Sequence, residues 1–464
     1  MKGKLDNFFQ AGTVVIFGLS PNPQNLGRNI LMNCKRWGYS GKIFGISPQA
    51  GESEGVKIYK ALADLPEKPE LAVIFTRAAL VPDILLDCAN HGISQVAVSS
   101  AGFEETGRPE GIELSRKVKA ICKQKGIDMV GPNGIATANT QTGMGLAFVP
   151  LAKPPTGKIA LLSQSGGVGT VTIAQMEIDA VPLGKFVSLG NKTVLDEVDF
   201  LDYLAQDPET EVICCFLEDL RRGREFLESA KRCRKPVIVF KAGVTPYGEA
   251  AASSHTAALK NDEEVMDCAF RQAGVIRAKS LAEMMTLAKA FSLPPMKGNR
   301  LLVLSPSGGL GVVMSDLAWK YGFELPPIPK ELAEKYSERR RAGVIEFQNP
   351  LDFGDLYSAE MQKNFLRELL ARDEFDAAVM AYIYRDPETL KFYMSLNQLQ
   401  RDLVAEFIET VETIKKPVGL ILAMPYRLRE SAQACSQYPV FDNPETALAC
   451  LAAMRDYYQR VKRK

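Results

Sequence analysis

Histidine is nearly absent from this chain: His91 and His255 are the only two among 464 residues. The nine cysteines (34, 88, 122, 214, 215, 233, 268, 435 and 450) form no C-x-x-C pair and no cluster with histidine. Their number is odd, so reduced thiols are expected rather than disulfides or zinc. No apolar run approaches the length of a membrane span, and the start Met1-Lys-Gly-Lys-Leu-Asp6 has no apolar signal region, so a cytoplasmic location is expected. An excess of one charge is lacking too. With 56 basic and 55 acidic residues the net charge is +1, which gives no global field for nucleic acid or an anionic membrane. Any anionic ligand must then be held locally.

What is present is the composition of a globular enzyme, 46% hydrophobic and 24% charged, at a length that predicts about three domains. Residues 1–135 alternate short apolar runs with amphipathic stretches, the pattern of parallel strands and crossover helices. Strands are expected at Thr13–Gly18, Lys42–Ile46, Leu71–Thr76, Gln95–Ser99 and Asp128–Val130. Helices are expected at Leu80–His91 and Glu113–Lys125, stopped by Gly92 and Gly126. The result is a Rossmann-like domain.

Two proline pairs, Pro154-Pro155 and Pro294-Pro295, introduce segments that resemble each other. Lys158-Ile-Ala-Leu-Leu-Ser-Gln-Ser-Gly-Gly-Val-Gly169 answers to Arg300-Leu-Leu-Val-Leu-Ser-Pro-Ser-Gly-Gly-Leu-Gly311, and Lys235-Pro-Val to Lys416-Pro-Val. The likeness continues in register, which indicates an internal duplication. The expected architecture is α/β: a Rossmann-like domain over 1–135, then two flavodoxin-like parallel-sheet domains over 155–290 and 300–464. The duplication supplies an internal control. The first copy has Leu217-Glu218-Asp219 at a strand end and His255 in a small-residue loop; the second has Tyr384 and the stretch from Met424, with no histidine. A need of the fold would be shared by both copies, so the asymmetry points to chemistry at His255.

Neutral imidazole is a competent nucleophile, and a carboxylate on its other ring nitrogen fixes the tautomer. Glu218, at the end of an apolar strand, stands where open α/β sheets place ligand residues, with Asp219 as its rival. A strand running through Ser165-Gly166-Gly167 into a helix presents unpaired N–H groups and a positive dipole end, a seat for phosphate. In the first domain, Gly18-Leu-Ser20-Pro-Asn-Pro-Gln-Asn-Leu-Gly27 is not G-x-G-x-x-G, and Ile46-Ser47-Pro48 supplies no acid for a ribose. That disfavours a nicotinamide dinucleotide and leaves coenzyme A open.

At this point the motifs resemble a known family. Gly131-Pro-Asn133, Leu162-Ser-Gln-Ser-Gly-Gly167, Phe186-Val-Ser-Leu-Gly-Asn-Lys192, Leu217-Glu218 and Ser254-His255-Thr256 are similar to the alpha subunit of ADP-forming acyl-CoA synthetases, within the succinyl-CoA synthetase superfamily. The resemblance covers nearly the whole chain. It implies that acyl-CoA, phosphate and ADP are interconverted with carboxylic acid, CoA and ATP through acyl phosphate and phosphohistidine. It makes His255 the nucleophile, Glu218 its orienting carboxylate and Ser165, Gly166 and Gly167 the phosphate cradle. Gly18, Ser20, Asn25, Ser47, Ser99 and Ser100 fall on the matching CoA loops, and Gly190 and Asn191 on the acyl or phosphate pocket. No protein-bound metal is implied on this chain. ADP or ATP with Mg belongs to an ATP-grasp beta subunit, giving a hetero-oligomer. The chain departs from the family at Gly134, Ala257 and Leu19, where cysteine, glycine and alanine are usual, and at Ala50, where succinate relatives carry a lysine. A CoA-binding regulatory or scaffolding protein is the alternative reading. A protein lysine acetyltransferase lacks room for its catalytic domain.

Overall fold

The computed structural model describes residues 5–248, 263–337, 347–352, 359–383, 408–423 and 438–462. His255, Tyr384 and the stretch from Met424 to Ser436 lie outside the described residues. The chain divides into two compact units, Met1–Met284 and Met285–Lys464.

The first unit holds two sheets. In one, β1 (Thr13–Phe17), β2 (Lys42–Ile46), β5 (Leu71–Ile74), β6 (Gln95–Val98) and β7 (Asp128–Val130) run parallel in the order β2-β1-β5-β6-β7. The apolar runs become fully buried strands because helices cover both faces. A hairpin of β3 (Gly51–Ser53) and β4 (Val56–Tyr59) extends the β2 edge and was not marked by the sequence pattern. The expected helix from Glu113 begins earlier, at Pro109, whose fixed φ suits a first helical turn; it ends at Gly126 in the left-handed conformation.

The second sheet has the order β14-β13-β12-β10-β11-β8-β9. Its parallel core is β10 (Thr156–Ser163), β11 (Leu183–Ser188), β12 (Val212–Leu217), β13 (Val237–Lys241) and β14 (Ile276–Ala278). Two short antiparallel strands, β8 (Thr137–Asn139) and β9 (Met144–Gly145), cap its edge. Residues just after the first sheet are thus built into the second. The N-terminus joins it as well: Thr137 Oγ1 donates to the Phe8 carbonyl at 2.6 Å, and Asn139 Nδ2 to that of Phe9 at 3.0 Å. Both phenylalanine rings meet Phe200 edge-on, at 5.9 and 6.3 Å between centroids, and all three are completely buried. Phe200→Ala is expected to cost about 3–5 kcal/mol, the usual range for a buried aromatic truncation, read as a lower denaturant midpoint with unchanged slope.

In the second unit, β15 (Leu301–Ser305), β16 (Leu351–Asp352), β17 (Ala377–Ile383), β18 (Val418–Ala423) and β19 (Val440–Phe441) run parallel in the order β16-β15-β17-β18-β19. The core of the second sheet follows the same path, so both are flavodoxin-like. The duplicated residues also repeat their contacts. Lys235 Nζ reaches the Leu204 and Asp207 carbonyls at 2.6 and 2.5 Å, and Lys416 Nζ likewise donates to the Arg372 carbonyl. Ser163 Oγ and Ser305 Oγ each donate at 2.7 Å to the carbonyl two residues on. The architecture is a Rossmann-like domain followed by two flavodoxin-like ones.

Candidate active site

The order of the second sheet reverses between β10 and β12. Loops leaving those strands part to opposite faces there, which opens a crevice at their carboxyl ends. A cavity of about 700 Å³ lies at this point. It is walled by Gln164–Gly167 after β10, Gly190 and Asn191 after β11, Glu218 after β12, and Ala242 and Gly243 after β13. Ser99 from the first sheet completes it, together with Phe75 and Phe148, whose rings stack at 4.5 Å.

Ser165 caps the helix Gly166–Ile178, its Oγ accepting from Val168 N at 3.3 Å. The Gly166 and Gly167 N–H groups belong to the first turn and have no acceptor among the described residues. A Cβ on Gly167 would meet nothing nearer than Ser165 Oγ at 3.9 Å, so packing does not require glycine there. A side chain would instead fill the space over the helix start. Ser188 Oγ, near Gly166, and Ser99 Oγ are buried without a hydrogen-bond partner. Unpaired N–H groups and the unpartnered Ser99 hydroxyl bordering one cavity suit an oxygen-rich anionic ligand.

Glu218 and Asp219 separate clearly. Glu218 is half-buried and lines the cavity, whereas Asp219 is buried behind it. Lys192 forms an ion pair with the Asp219 carboxylate, and its Nζ donates to the Asp219 carbonyl at 3.0 Å. It also donates to Glu197 Oε1 at 3.3 Å; Oε2 lies 3.1 Å away without hydrogen-bond geometry. All three side chains are almost wholly removed from water. Burial pushes the Asp219 carboxyl up, but Lys192 and Arg221 outweigh it and hold the group below the usual carboxylate range. For Glu197 burial wins over Lys192, and its carboxyl is raised.

Of the remaining expected residues, Gly190 has φ +58°, and a Cβ there would meet the Pro132 carbonyl at 2.1 Å, so close packing alone requires glycine. Asn191 lines the cavity, yet its Nδ2 donates to Glu105 Oε2 at 2.6 Å and its Oδ1 accepts from Asn133 Nδ2 at 3.3 Å. Glu105 Oε1 accepts from Gly102 N and Phe103 N, and Arg221 bridges Asp219, Glu104 and the Asn191 carbonyl. The loop after β6 is thereby clamped to the second sheet. Gly18, Ser20, Asn25, Ser47 and Ser100 do not line this cavity; they stand on loops at the carboxyl ends of β1, β2 and β6. Gly18 has φ +93°, and a Cβ there would strike the Phe75 carbonyl. Asn25 Nδ2 donates to the Gly18 carbonyl at 3.0 Å, leaving Oδ1 buried without a partner, and Ser100 Oγ accepts from Thr76 N at 3.2 Å. Ser20 and Ser47 Oγ accept weakly, at 3.4 Å, from the N–H two residues on. Gly134 also borders the cavity, with the Ser188 carbonyl 2.8 Å from where a Cβ would stand.

Residues 12–140 match a CoA binding domain, and residues 156–291 match a succinyl-CoA ligase like flavodoxin domain. The alpha subunit of acetate–CoA ligase [ADP-forming] II from Pyrococcus furiosus is 34% identical over 353 residues, which are 75% of this chain and 76% of that one. The chain belongs to the ADP-forming acyl-CoA synthetase family. Another member, acetate–CoA ligase [ADP-forming] I of Archaeoglobus fulgidus, is 37% identical over 80% of this chain but only 53% of its own length. Among solved structures, the dinucleotide forming acetyl-coenzyme A synthetase 1 of Ca. Korarchaeum cryptofilum, in complex with phosphate and ADP, has a TM-score of 0.86 and 28% identity, and 99% of this chain covers 98% of that one. Among the described residues no helix is long and apolar enough to cross a membrane.

Three contributors to the site are given no role by the sequence: Gln164 and Lys192, although both stand inside the quoted motifs, and the Phe75–Phe148 wall. Gln164 left a further signal, since the second copy carries Pro306 at its position.

Proposed function

We propose that this chain is the alpha subunit of an ADP-forming acyl-CoA synthetase, an acid–thiol ligase that interconverts acyl-CoA, ADP and phosphate with carboxylic acid, CoA and ATP. The observation that carries this reading is the single cavity joining Ser99 of the CoA-binding sheet to the open helix start at Ser165–Gly167 and to Glu218. CoA is held by the loops carrying Gly18, Ser20, Asn25, Ser47, Ser99 and Ser100, and it supplies the thiol that carries the acyl group. A phosphate oxygen at the helix start attacks the thioester carbonyl; the C–O bond forms, the C–S bond breaks, and CoA leaves as thiol with the proton given up by phosphate. His255 then attacks phosphorus, the acyl P–O bond breaks, and the carboxylate departs. Glu218 holds the imidazole in the tautomer that leaves the attacking nitrogen free. An oxygen of the ADP terminal phosphate takes the phosphoryl group and releases His255.

The last transfer takes place on an ATP-grasp beta subunit that binds the nucleotide with Mg, and the His255 loop carries the phosphoryl group to it. Support comes from the archaeal relative about twice as long as the segment matched here, and from relatives named as alpha subunits. The test incubates the purified chain with acetyl-CoA and radiolabelled phosphate, then adds ADP with and without the partner. Acid-labile, alkali-stable label is expected on the chain, and ATP only when the partner is present. ATP made by this chain alone would overturn the two-subunit reading. A labelled partner beside an unlabelled chain would favour a CoA-binding scaffold.

A further inference from the structure

Gln164 stands between the two serines of the phosphate turn and is 5% exposed. Its side-chain Oε1 accepts two backbone hydrogen bonds, from Glu218 N at 2.9 Å and Asp219 N at 3.1 Å. Its own N–H donates to the Phe216 carbonyl, and its carbonyl accepts from Gly190 N at 3.2 Å. One residue therefore ties the ends of three neighbouring strands.

The two N–H donors settle which way the amide faces. An amide –NH₂ nitrogen cannot accept from an N–H group, so the oxygen must point at β12 and the –NH₂ must point the other way. Gln164 lines the cavity, and its Nε2 has no acceptor among the described residues. The duplicated domain serves as control. Its turn keeps the same serine framework, with Ser305 Oγ bonded to the Ser307 carbonyl, but carries Pro306, which has no side-chain donor. A turn that needs only to fold does without the amide.

We infer that Gln164 donates a hydrogen bond from Nε2 to a phosphoryl oxygen of phosphate and acyl phosphate at the Gly166–Gly167 helix start, while its Oε1 fixes the chain at Glu218. This role rests on the function proposed above. It couples the seat of the phosphoryl group to the carboxylate that orients its acceptor. Both are aligned by one planar amide, whose orientation is fixed before substrate arrives.

Gln164→Glu separates the two halves of the role. One carboxylate oxygen still accepts from Glu218 N and Asp219 N, while the other places negative charge where the donor stood. In phosphoenzyme formation from acetyl-CoA, half-saturation by phosphate should rise on the order of a hundredfold, the scale of losing one donor to a developing anion. Half-saturation by acetyl-CoA and the thermal midpoint should change little. As pH falls through the pKa of the substituted carboxyl, its O–H becomes a donor and phosphate affinity should recover, a trend the wild-type amide cannot show. Gln164→Ala removes both contacts and should lower the maximal rate as well. A wild type that takes label beside a Gln164→Glu variant with unchanged phosphate dependence, or with a shift confined to acetyl-CoA, would overturn the role of Gln164 alone. A wild type that takes no label would overturn the function itself.

Discussion

His255→Ala is expected to abolish phosphoenzyme and to lower ATP formation by roughly 10⁴-fold or more, because the described residues that line the cavity include no histidine, cysteine or lysine to replace it as nucleophile. The loss should fall on one step only. On the proposed function, acyl phosphate forms from acyl-CoA and phosphate at the CoA loops and the helix start, both of which lie among the described residues. In the variant, acyl phosphate should therefore still form and be trapped by hydroxylamine as the hydroxamate. CoA affinity by titration calorimetry should stay within about twofold, since none of the residues assigned to CoA is altered. Loss of hydroxamate together with phosphoenzyme would show that His255 acts before acyl phosphate is made, against the assigned order.

Lys192→Met should be the most destabilising single change near the site. It removes the cation from two carboxylates whose side chains are 0% and 7% exposed, and uncompensated buried charge typically costs about 3–5 kcal/mol. For a unit of this size that corresponds to a fall in Tm of roughly 5–15 °C by calorimetry. The pH dependence has a definite sign. Without Lys192, burial acts on Glu197 with no cation against it and raises its folded-state pKa further above the unfolded one, while Asp219 keeps Arg221 as a partner. Groups raised in this way favour the folded state when protonated and lose that contribution as pH rises through the folded pKa. The penalty should thus be smaller in mildly acidic buffer than at pH 8. Adding Glu197→Gln to the variant should recover part of the loss at pH 8, and a penalty independent of pH would assign the effect to packing.

The parallel strands were legible because burial on both faces forces continuous apolar runs, as in Leu71–Ile74 and Val212–Leu217. The short strands Gly51–Ser53 and Met144–Gly145 were not, because two or three residues carry no period and their pairing is set by distant partners. The same holds for Phe8 and Phe9, whose packing on Phe200 joins residues about two hundred apart. At the site, strand–glycine–helix spacing marked Ser165–Gly167, and a strand end marked Glu218. Lys192 was hidden by its type: lysine reads as a surface residue until its partners are seen. Gln164 was hidden by its neutrality, since the direction of an amide is decided by N–H groups 54 and 55 positions away.

Under the proposed function, the clamp that Glu105 and Arg221 make between the loop after β6 and the second sheet would divide the catalytic cycle in time. On that reading, with the CoA loops and the helix start in one compact unit, acyl transfer to phosphate would proceed within a fixed frame, and only phosphoryl carriage to the partner would require displacement. Solvent viscosity should then slow net ATP synthesis while leaving the burst of acyl phosphate untouched, and cutting the tie with Glu105→Ala should make the burst viscosity-dependent as well.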